Sequence, residues 1–417
     1  MALGIHSTIH SLHLRLRLRW CPKWRGAFVD PAGGYYERLG KGFKPVLTGQ
    51  RRLVTQCRQL SIYSHFALKN SKIRLLSDGL QSEFEYIAGR YHDPETGLWH
   101  FSLDDGGRVL DRTCDLYALS FVIFSFSHYY RATLDDRARV RALEVLALID
   151  RDFRLETGLA EALGADGKPL PKMRRQNPHM HLLEACLFAY ETWRDEAFLA
   201  MADEMVALFY GSFFDAGRCA LVEFFDDALT PHPEKGGHVE PGHYFEWVWL
   251  LKMHGGMTGA ADRHDAACLE LLDWANRYGW DPDYGGIYDS LTPDGAVIAD
   301  TKRIWPFCEA LKANALMISA VPDRQALKDR VAEMVAVFDE KYMDERGFWT
   351  EWLNRDLTPA VDYMPGTTPY HVYFGIEETM DILNGRGGGK SWRAPLTAAL
   401  YSARRFVSGA VRSLKGL

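Results

Sequence analysis

No two cysteines in this chain are spaced Cys-x-x-Cys, and the seven present (Cys21, Cys57, Cys114, Cys186, Cys219, Cys268, Cys308) are odd in number and scattered. That argues against a disulfide framework and a structural zinc site, and suits a reducing cytosol, where the protein is expected. No apolar run approaches the roughly 18 residues that span a bilayer. The N-terminus carries its charges in the wrong place for a signal peptide. Acidic residues are missing from both ends: residues 1–26 hold five Lys/Arg and no acid, and residues 384–417 hold seven and no acid. Taking those twelve positive charges from a net −6 leaves −18 for the body between them. An acidic body is a poor nucleic-acid binder, because such affinity rests on neutralising phosphates. With 47% hydrophobic and 25% charged residues, neither disorder nor a collagen-like chain fits. A length of 417 residues admits two or three domains, or one large toroid of repeats.

The two basic ends stand apart from the rest. In residues 1–26, Leu12, Leu14, Leu16 and Leu18 alternate with His13, Arg15, Arg17 and Arg19. The expectation is a disordered basic extension, with a surface for anionic lipid or a partner as the sharper alternative. Residues 395–417 read as a basic amphipathic helix that closes the fold, membrane contact being the lesser option. Asn384-Gly385-Arg386-Gly387-Gly388-Gly389-Lys390-Ser391 ends like a phosphate loop. It comes after a helix rather than a strand, Asn384 stands where the first glycine belongs, and Pro395 interrupts any helix beyond it, so a flexible linker is expected.

Internal repetition is the strongest feature of the chain. A loop with a polar lead, a glycine turn and an aromatic or apolar residue recurs six times, with turn glycines Gly34, Gly97, Gly158, Gly217, Gly286 and Gly347. The steps between them are 63, 61, 59, 69 and 61 residues. Between the loops, apolar residues recur at three and four, with Pro and Gly at the ends. The helix pairs read as 116–130 with 135–149, 179–192 with 195–209, 243–254 with 260–278, and 305–318 with 323–342. Six helical hairpins joined by short β-like loops predict an all-α (α/α)6 barrel over residues 27–417, a single domain. Inner helices come after each loop and outer helices precede the next. A closed ring also removes the exposed ends of an open solenoid.

The repeat also aligns chemistry. From each turn glycine to the most functional-looking residue of the next inner helix, the offsets are 24 (Arg58), 20 (Tyr117), 23 (His181), 26 (His243), 23 (Glu309) and 24 (His371). Similar offsets in equivalent helices put these side chains at one depth of one cavity. The residue types suit proton transfer. Histidine gives or takes a proton near neutrality. Arg58 is a permanent cation that can stabilise an oxyanion. Glu246 lies one turn after His243 and can orient it. Asn177, His181 and Glu184 share one helix start, as a sugar-contacting set or as a cap and packed polar cluster. His179 and His181, two apart, point about 200° away from each other on a helix, so they do not share an ion and no metal is expected. Glu184, Glu246 and Glu309 also offer the paired carboxylates of a glycosidase, which would leave both histidines without a role. Lys302, Arg303, Arg174 and Arg175 read as solvated loop charge, or as phosphate contacts at a site mouth.

These residues lie in stretches with a known look: Val54-Thr-Gln-Cys-Arg58-Gln, Asn177-Pro-His-Met-His181-Leu-Leu-Glu184-Ala, Glu240-Pro-Gly-His243-Tyr-Phe-Glu246-Trp, Lys302-Arg-Ile-Trp305-Pro-Phe-Cys-Glu309-Ala and Pro369-Tyr-His371. Together with the loops, which carry the match from about Trp24 to Leu383, they resemble the N-acylglucosamine 2-epimerase superfamily of sugar epimerases and isomerases. The resemblance implies the (α/α)6 fold, no cofactor, and a linear sugar that loses its C2 proton to give a cis-enediol(ate). It implies that His243 and His371 are the acid/base pair, with Arg58 and Glu246 in the catalytic group. Tyr117, Asn177, His181, Glu184, Trp305 and Glu309 then line the sugar. Which histidine is the C2 base stays open. The family's disaccharide and N-acyl epimerases carry a Trp just before Pro-Tyr-His and an Asn-x-Arg after it. Here the stretch is Met364-Pro-Gly-Thr-Thr-Pro-Tyr-His371-Val-Tyr-Phe. The Asn-Pro-His-Met-His-Leu-Leu-Glu form looks closest to mannose isomerases. The expectation is a D-mannose/D-fructose type isomerase, monomeric or homodimeric. The alternatives are a 2-epimerase of glucose/mannose or N-acylglucosamine, a mannose 6-phosphate isomerase-like activity, and a sugar-binding protein without turnover.

Overall fold

Outer and inner helices alternate along the chain, as the repeat predicts. The computed structural model describes residues 5–70 and 79–385. In it α1 (Ile5–Arg15) and α2 (Cys21–Phe28), joined through a π turn at Leu16–Trp20, form the first outer rod. Inner α3 (Leu53–Lys69) is next, then outer α4 (Leu80–Arg90), inner α5 (Leu116–Thr133), outer α6 (Asp136–Asp152) and inner α7 (Gln176–Trp193). Outer α8 (Glu196–Leu208), inner α9 (Pro241–Met257), outer α10 (Asp265–Tyr278), inner α11 (Ile304–Met317), outer α12 (Arg324–Val337) and inner α13 (Pro369–Leu383) complete the set. The inner helices touch in the order α3, α5, α7, α9, α11, α13, and α13 returns to α3. This is the closed (α/α)6 ring.

Local sequence explains the alternation. Inner helices are apolar on nearly every side and are buried accordingly: residues 118–130 of α5 are all buried. Outer helices bury one stripe, such as Ala138, Ala142, Val145 and Ile149 of α6. The turn from inner to outer helix is tight where one left-handed residue meets an aspartate cap. Leu134 (φ 61°) precedes Asp135, which accepts from the Arg137 amide, and Arg194 (φ 52°) precedes Asp195, which accepts from the Ala197 amide.

The loops knit neighbouring repeats. Each short strand that leads into an inner helix pairs with the loop of the next repeat: Arg51–Arg52 with Ser102–Leu103, Cys114–Asp115 with Ala162–Leu163, Arg174–Arg175 with Phe224–Phe225. Val239 with Leu291 and Lys302–Arg303 with Trp352–Leu353 continue the pattern. Met364–Pro365 pairs back onto Arg38–Leu39 and closes it. Five of the six turn glycines have positive φ; in the fourth loop Cys219 (φ 47°) takes that conformation in place of Gly217.

The expectation for residues 1–26 is corrected. From Ile5 onward they are helical, and Ile9, Leu12, Leu16, Trp20, Cys21 and Trp24 are fully buried. The apparent Leu/Arg alternation hid a helical period: Leu12 and Leu16 face inward, while Leu14 and Leu18 are exposed. α1 packs on α13 and α12, so the N-terminal rod supplies the outer layer over the last inner helix. Its basic residues find carboxylates there, Arg15 with Asp339 at 2.6 Å and His13 with Glu377 at 2.8 Å. Trp24 donates to the Gly347 carbonyl at 2.7 Å and meets Trp349 edge-on. The expected basic helix over 395–417, and most of the glycine-rich stretch 384–391, lie outside the described residues.

Because Trp24 is a wholly buried ring with its own hydrogen bond, Trp24→Ala should cost about 3–5 kcal/mol. Leu18→Ala, on the exposed face of the same rod, should cost under about 0.5 kcal/mol. Denaturant midpoints of the two variants check this. Equal, small losses would show that the rod is not part of the cooperative fold.

Candidate active site

The first two turns of the inner helices gather the expected side chains. Tyr117 and Trp305 are second residues of their helices, His243 and His371 third, and Arg58, His181, Glu246 and Glu309 sixth. Three residues of helix rise about 4.5 Å, so two layers form, with the sixth-residue layer deeper. All six helices begin at this end, so their N-terminal dipoles converge on these side chains and favour negative charge there.

Each of the two key histidines is held at Nδ1 by a buried carboxylate. His371 Nδ1 lies 2.8 Å from Glu309, and His243 Nδ1 lies 2.9 Å from Glu223. Trp305 stands between them, its ring centroid 5.0 Å from His243 and 5.5 Å from His371. Their proton affinities diverge. Burial pulls His371 down to about 3, and its bond to Glu309 offsets this only in part. Burial also acts on His243, but the charge and hydrogen bond of Glu223 outweigh it and hold this imidazole above its ordinary value.

The deeper layer is a buried charge cluster. His181 Nδ1 is 3.0 Å from Glu184 and its Nε2 is 3.7 Å from Glu246. Tyr370 donates to the other Glu184 oxygen. Arg58 donates to the Tyr117 hydroxyl at 2.6 Å and stacks on Phe121 at 4.2 Å and Tyr370 at 4.7 Å. Glu246 is 1% exposed, and one of its oxygens has no protein partner. Burial, then the charges of Glu309 and Glu184, push it well above the carboxylate range, which favours its protonated form. Asn177, half-buried at the second position of α7, also has an unpaired amide oxygen.

His181, Glu184 and Glu246 bring ligand atoms within 4.8 Å of one another. Arg58 and Lys312 already place positive charge on this group, and Glu184 occupies His181 Nδ1. That balance suits a cluster holding protons better than one holding a dication. His179 turns away, as the spacing predicts: its ring bridges the Arg175 carbonyl and the Leu159 amide.

Two readings of the sequence need correction. Lys302 and Arg174 are not loop charges in water but buried pins. Lys302 binds Asp281 at 2.9 Å and the carbonyls of Gly285 and Arg355, and Arg174 binds the carbonyls of Leu159 and Asp227. Arg175 pairs with Glu161, and Arg303 with Asp289 and Glu240. None of the four is a free cation for a phosphate.

Sequence reasoning missed Glu223. The loop position before each short strand carries Glu37, Phe101, Glu161, Glu223, Asp289 and Glu351 in the six repeats. Glu37, Glu161 and Asp289 each bind the arginine just before their inner helix, Arg52, Arg175 and Arg303. In the fourth repeat that place is Glu240, so Glu223 turns to His243 instead. An acid recurring three to six residues after the turn glycine was the available signal.

Comparison with known proteins places this arrangement. The chain is 29% identical to the mannose-6-phosphate isomerase of Rhizobium meliloti (strain 1021) over 398 residues, covering 92% of this chain and 99% of that protein. It is 24% identical to the D-mannose isomerase of Marinomonas mediterranea, over 85% and 93% of the two chains. A solved cellobiose 2-epimerase from Bacillus thermoamylovorans shares the fold, with a TM-score of 0.80 at 20% identity over 91% of this chain and 99% of that one. The family model of N-acylglucosamine 2-epimerase matches residues 34–375, and with four-fifths of its length inside that match, from the first repeated loop to the His371 helix, the chain belongs to the N-acylglucosamine 2-epimerase family.

Proposed function

We propose that the protein is a cofactor-independent aldose–ketose isomerase that interconverts a free monosaccharide of the D-mannose/D-fructose type. The observation that carries this reading is the pair of histidines with opposite proton affinity on either side of Trp305. Two groups whose environments drive their affinities apart are suited to acid and base roles in one step. At neutral pH, His371 is unprotonated, and Glu309 on Nδ1 leaves its Nε2 lone pair for the sugar. His243 is the better proton holder, held so by Glu223.

In this mechanism the open-chain aldose binds with its carbonyl oxygen toward His243 and Arg58. His371 takes the C2 proton, and the electron pair moves onto the carbonyl oxygen to give a cis-enediolate. A base of such low affinity works only if the anion is strongly stabilised, which the Arg58 guanidinium, the His243 donor and the converging helix N-termini supply. His243 gives its proton to the C1 oxygen and takes one from the C2 hydroxyl, and His371 returns its proton to C1 as the C2 carbonyl forms, so a ketose results. Protonation at C2 from the opposite face would give the 2-epimer. The position of His243 across Trp305 keeps that outcome as the second reading.

The charge at the mouth supports a neutral sugar. Arg52, Arg175 and Arg303 are each held by their own carboxylate, and Asp115 and Glu240 occupy the matching places on α5 and α9. The stretch Met364–Thr368 carries no ring on which a second sugar could stack. The glycosidase alternative fares worse, because Glu309 and Glu184 are committed to His371, His181 and Tyr370.

Proton NMR of D-mannose with the protein in deuterated water containing a chelator should show fructose forming. Glucose alone, with deuterium at C2, would replace the isomerase with the epimerase. No change with mannose but turnover of mannose 6-phosphate or N-acetylmannosamine would move the substrate to those sugars. His371→Asn should lower kcat by about 10²-fold or more, and a smaller loss would remove His371 as the base. The alkaline limb of the pH profile should report loss of the His243 proton as pH rises through its raised value. Glu223→Gln removes the carboxylate that raises it, so the limb should move to lower pH; an unmoved limb would assign it to another group.

A further inference from the structure

Lys312 lies on the same face of α11 as Glu309 and one turn further along. Its Nζ is 2.6 Å from the Glu309 oxygen that does not face His371, and 3.5 Å from Glu378 on α13. It sits 4.2 Å from the ring centroid of Trp249 on α9 and is 2% exposed. We propose that Lys312 is a positioning residue that sets the tautomer of His371 by keeping Glu309 ionised.

The argument rests on charge and on the balance of protons. Four buried or nearly buried glutamates approach one another here: Glu184 from α7, Glu246 from α9, Glu309 from α11 and Glu378 from α13. Four such carboxylates cannot all stay ionised in a dry interior. Arg58 from α3 and Lys312 are the cations that bear on the group. Lys312 touches Glu309 directly, and its charge, followed by the hydrogen bond and charge of His371, overcomes burial to hold Glu309 at about 2. Glu246 and Glu378 take the opposite course. Burial and neighbouring carboxylates raise Glu246 well above its ordinary value and Glu378 to about 8. Lys312, seated closer to Glu309 than to Glu378, therefore favours the charged form of Glu309.

That choice determines what His371 can do. A charged Glu309 only accepts, so neutral His371 carries its proton on Nδ1 and keeps the Nε2 lone pair for substrate. Without the ammonium, Glu309 gains a proton from solvent, or His371 does. A protonated Glu309 donates to Nδ1 and moves the imidazole proton to Nε2; a protonated His371 carries both. In either case Nε2 holds a hydrogen and the base is lost.

The role in turnover rests on the isomerase reading, but the tautomer does not, so the test reads both. Lys312→Met removes the cation. Lys312→Gln removes only the charge while leaving a hydrogen-bond donor for Glu309, and stands in if the first variant does not fold. Nitrogen-15 NMR of the resting protein, with the His371 signals assigned by their loss in His371→Asn, should show Nε2 unprotonated in the wild type and protonated in the lysine variants. kcat should fall tenfold or more with KM changed less than about threefold, a loss in the chemical step rather than in binding. A folded variant whose Nε2 stays unprotonated would overturn the proposal, whatever its activity. A protonated Nε2 with kcat within twofold of wild type would overturn the role of His371 as base while leaving the positioning by Lys312 intact.

Discussion

The seam between the two ends of the ring is the constraint on which the rest depends. Met364–Pro365 pairs with Arg38–Leu39, the Gly366 amide donates to the Glu37 carbonyl, and α1 lies over α13. The six repeats could stack through the other five junctions without this one, but they would form an open solenoid with two raw faces. The seam also builds part of the site. Gln59 donates to the Gly366 carbonyl at 2.7 Å and Arg58 to the Thr367 carbonyl at 3.4 Å, so the lead-in to the sixth inner helix fixes residues of the first. Closure and site geometry are therefore one event. Substitutions that loosen the rod at Trp20 or Trp24 should be felt at Arg58, which those residues never touch.

A sixfold scaffold makes six equivalent positions, and function comes from how they differ. Loop carboxylates in three repeats hold an arginine, and their work is structural. Where Glu240 replaces that arginine, the same carboxylate position serves a histidine. The sixth position of the inner helices shows the same divergence. It holds Arg58, His181, Glu246, Glu309 and, on α13, Phe374, which lies against Phe124 and His128 as packing. One backbone frame thus yields a guanidinium, an imidazole, a carboxyl group pushed up in proton affinity and one held low, at similar depth. Their protonation states are set by which neighbour each happens to face.

The sequence was legible where it repeats and opaque where it does not. Glycine turns and helical periods gave the barrel, and the common offset gave Arg58, Tyr117, His181, His243, Glu309 and His371 as neighbours, because backbone repetition fixes depth. The same logic failed for residues 1–26. Leucines spaced by two satisfy a strand pattern and, at every second one, a helical pattern, and only the partner helix α13 decides between them. Roles of charges were also hidden. Arg174 and Lys302 look solvated in a row of polar residues, but what buries them is carbonyl oxygens of turns up to 53 residues away. Glu223 was visible as a recurring acid, but its attachment to His243 required knowing that its usual arginine partner is absent.

The burial of the cluster, rather than any single side chain, is what makes its residues chemically distinct. In water, Glu246, Glu309 and Glu378 would titrate together near the ordinary carboxylate value, and His243 and His371 near theirs. Taken out of water, each group responds to its nearest partner with little screening, so small differences in placement become large differences in proton affinity. Glu309, 2.6 Å from Lys312 and bonded to His371, is held low, whereas Glu246, facing Glu309 and Glu184, is pushed up. An imidazole facing Glu223 gains affinity, whereas one facing a glutamate already bound to Lys312 stays well below the ordinary value. The cluster can therefore hold two imidazoles of opposite proton affinity side by side at one pH, as the proposed isomerase reading requires. This arrangement lasts only while water is kept out, so the apolar walls of Phe121, Phe124, Trp249 and Tyr370 belong to the chemistry as much as the charged groups they enclose.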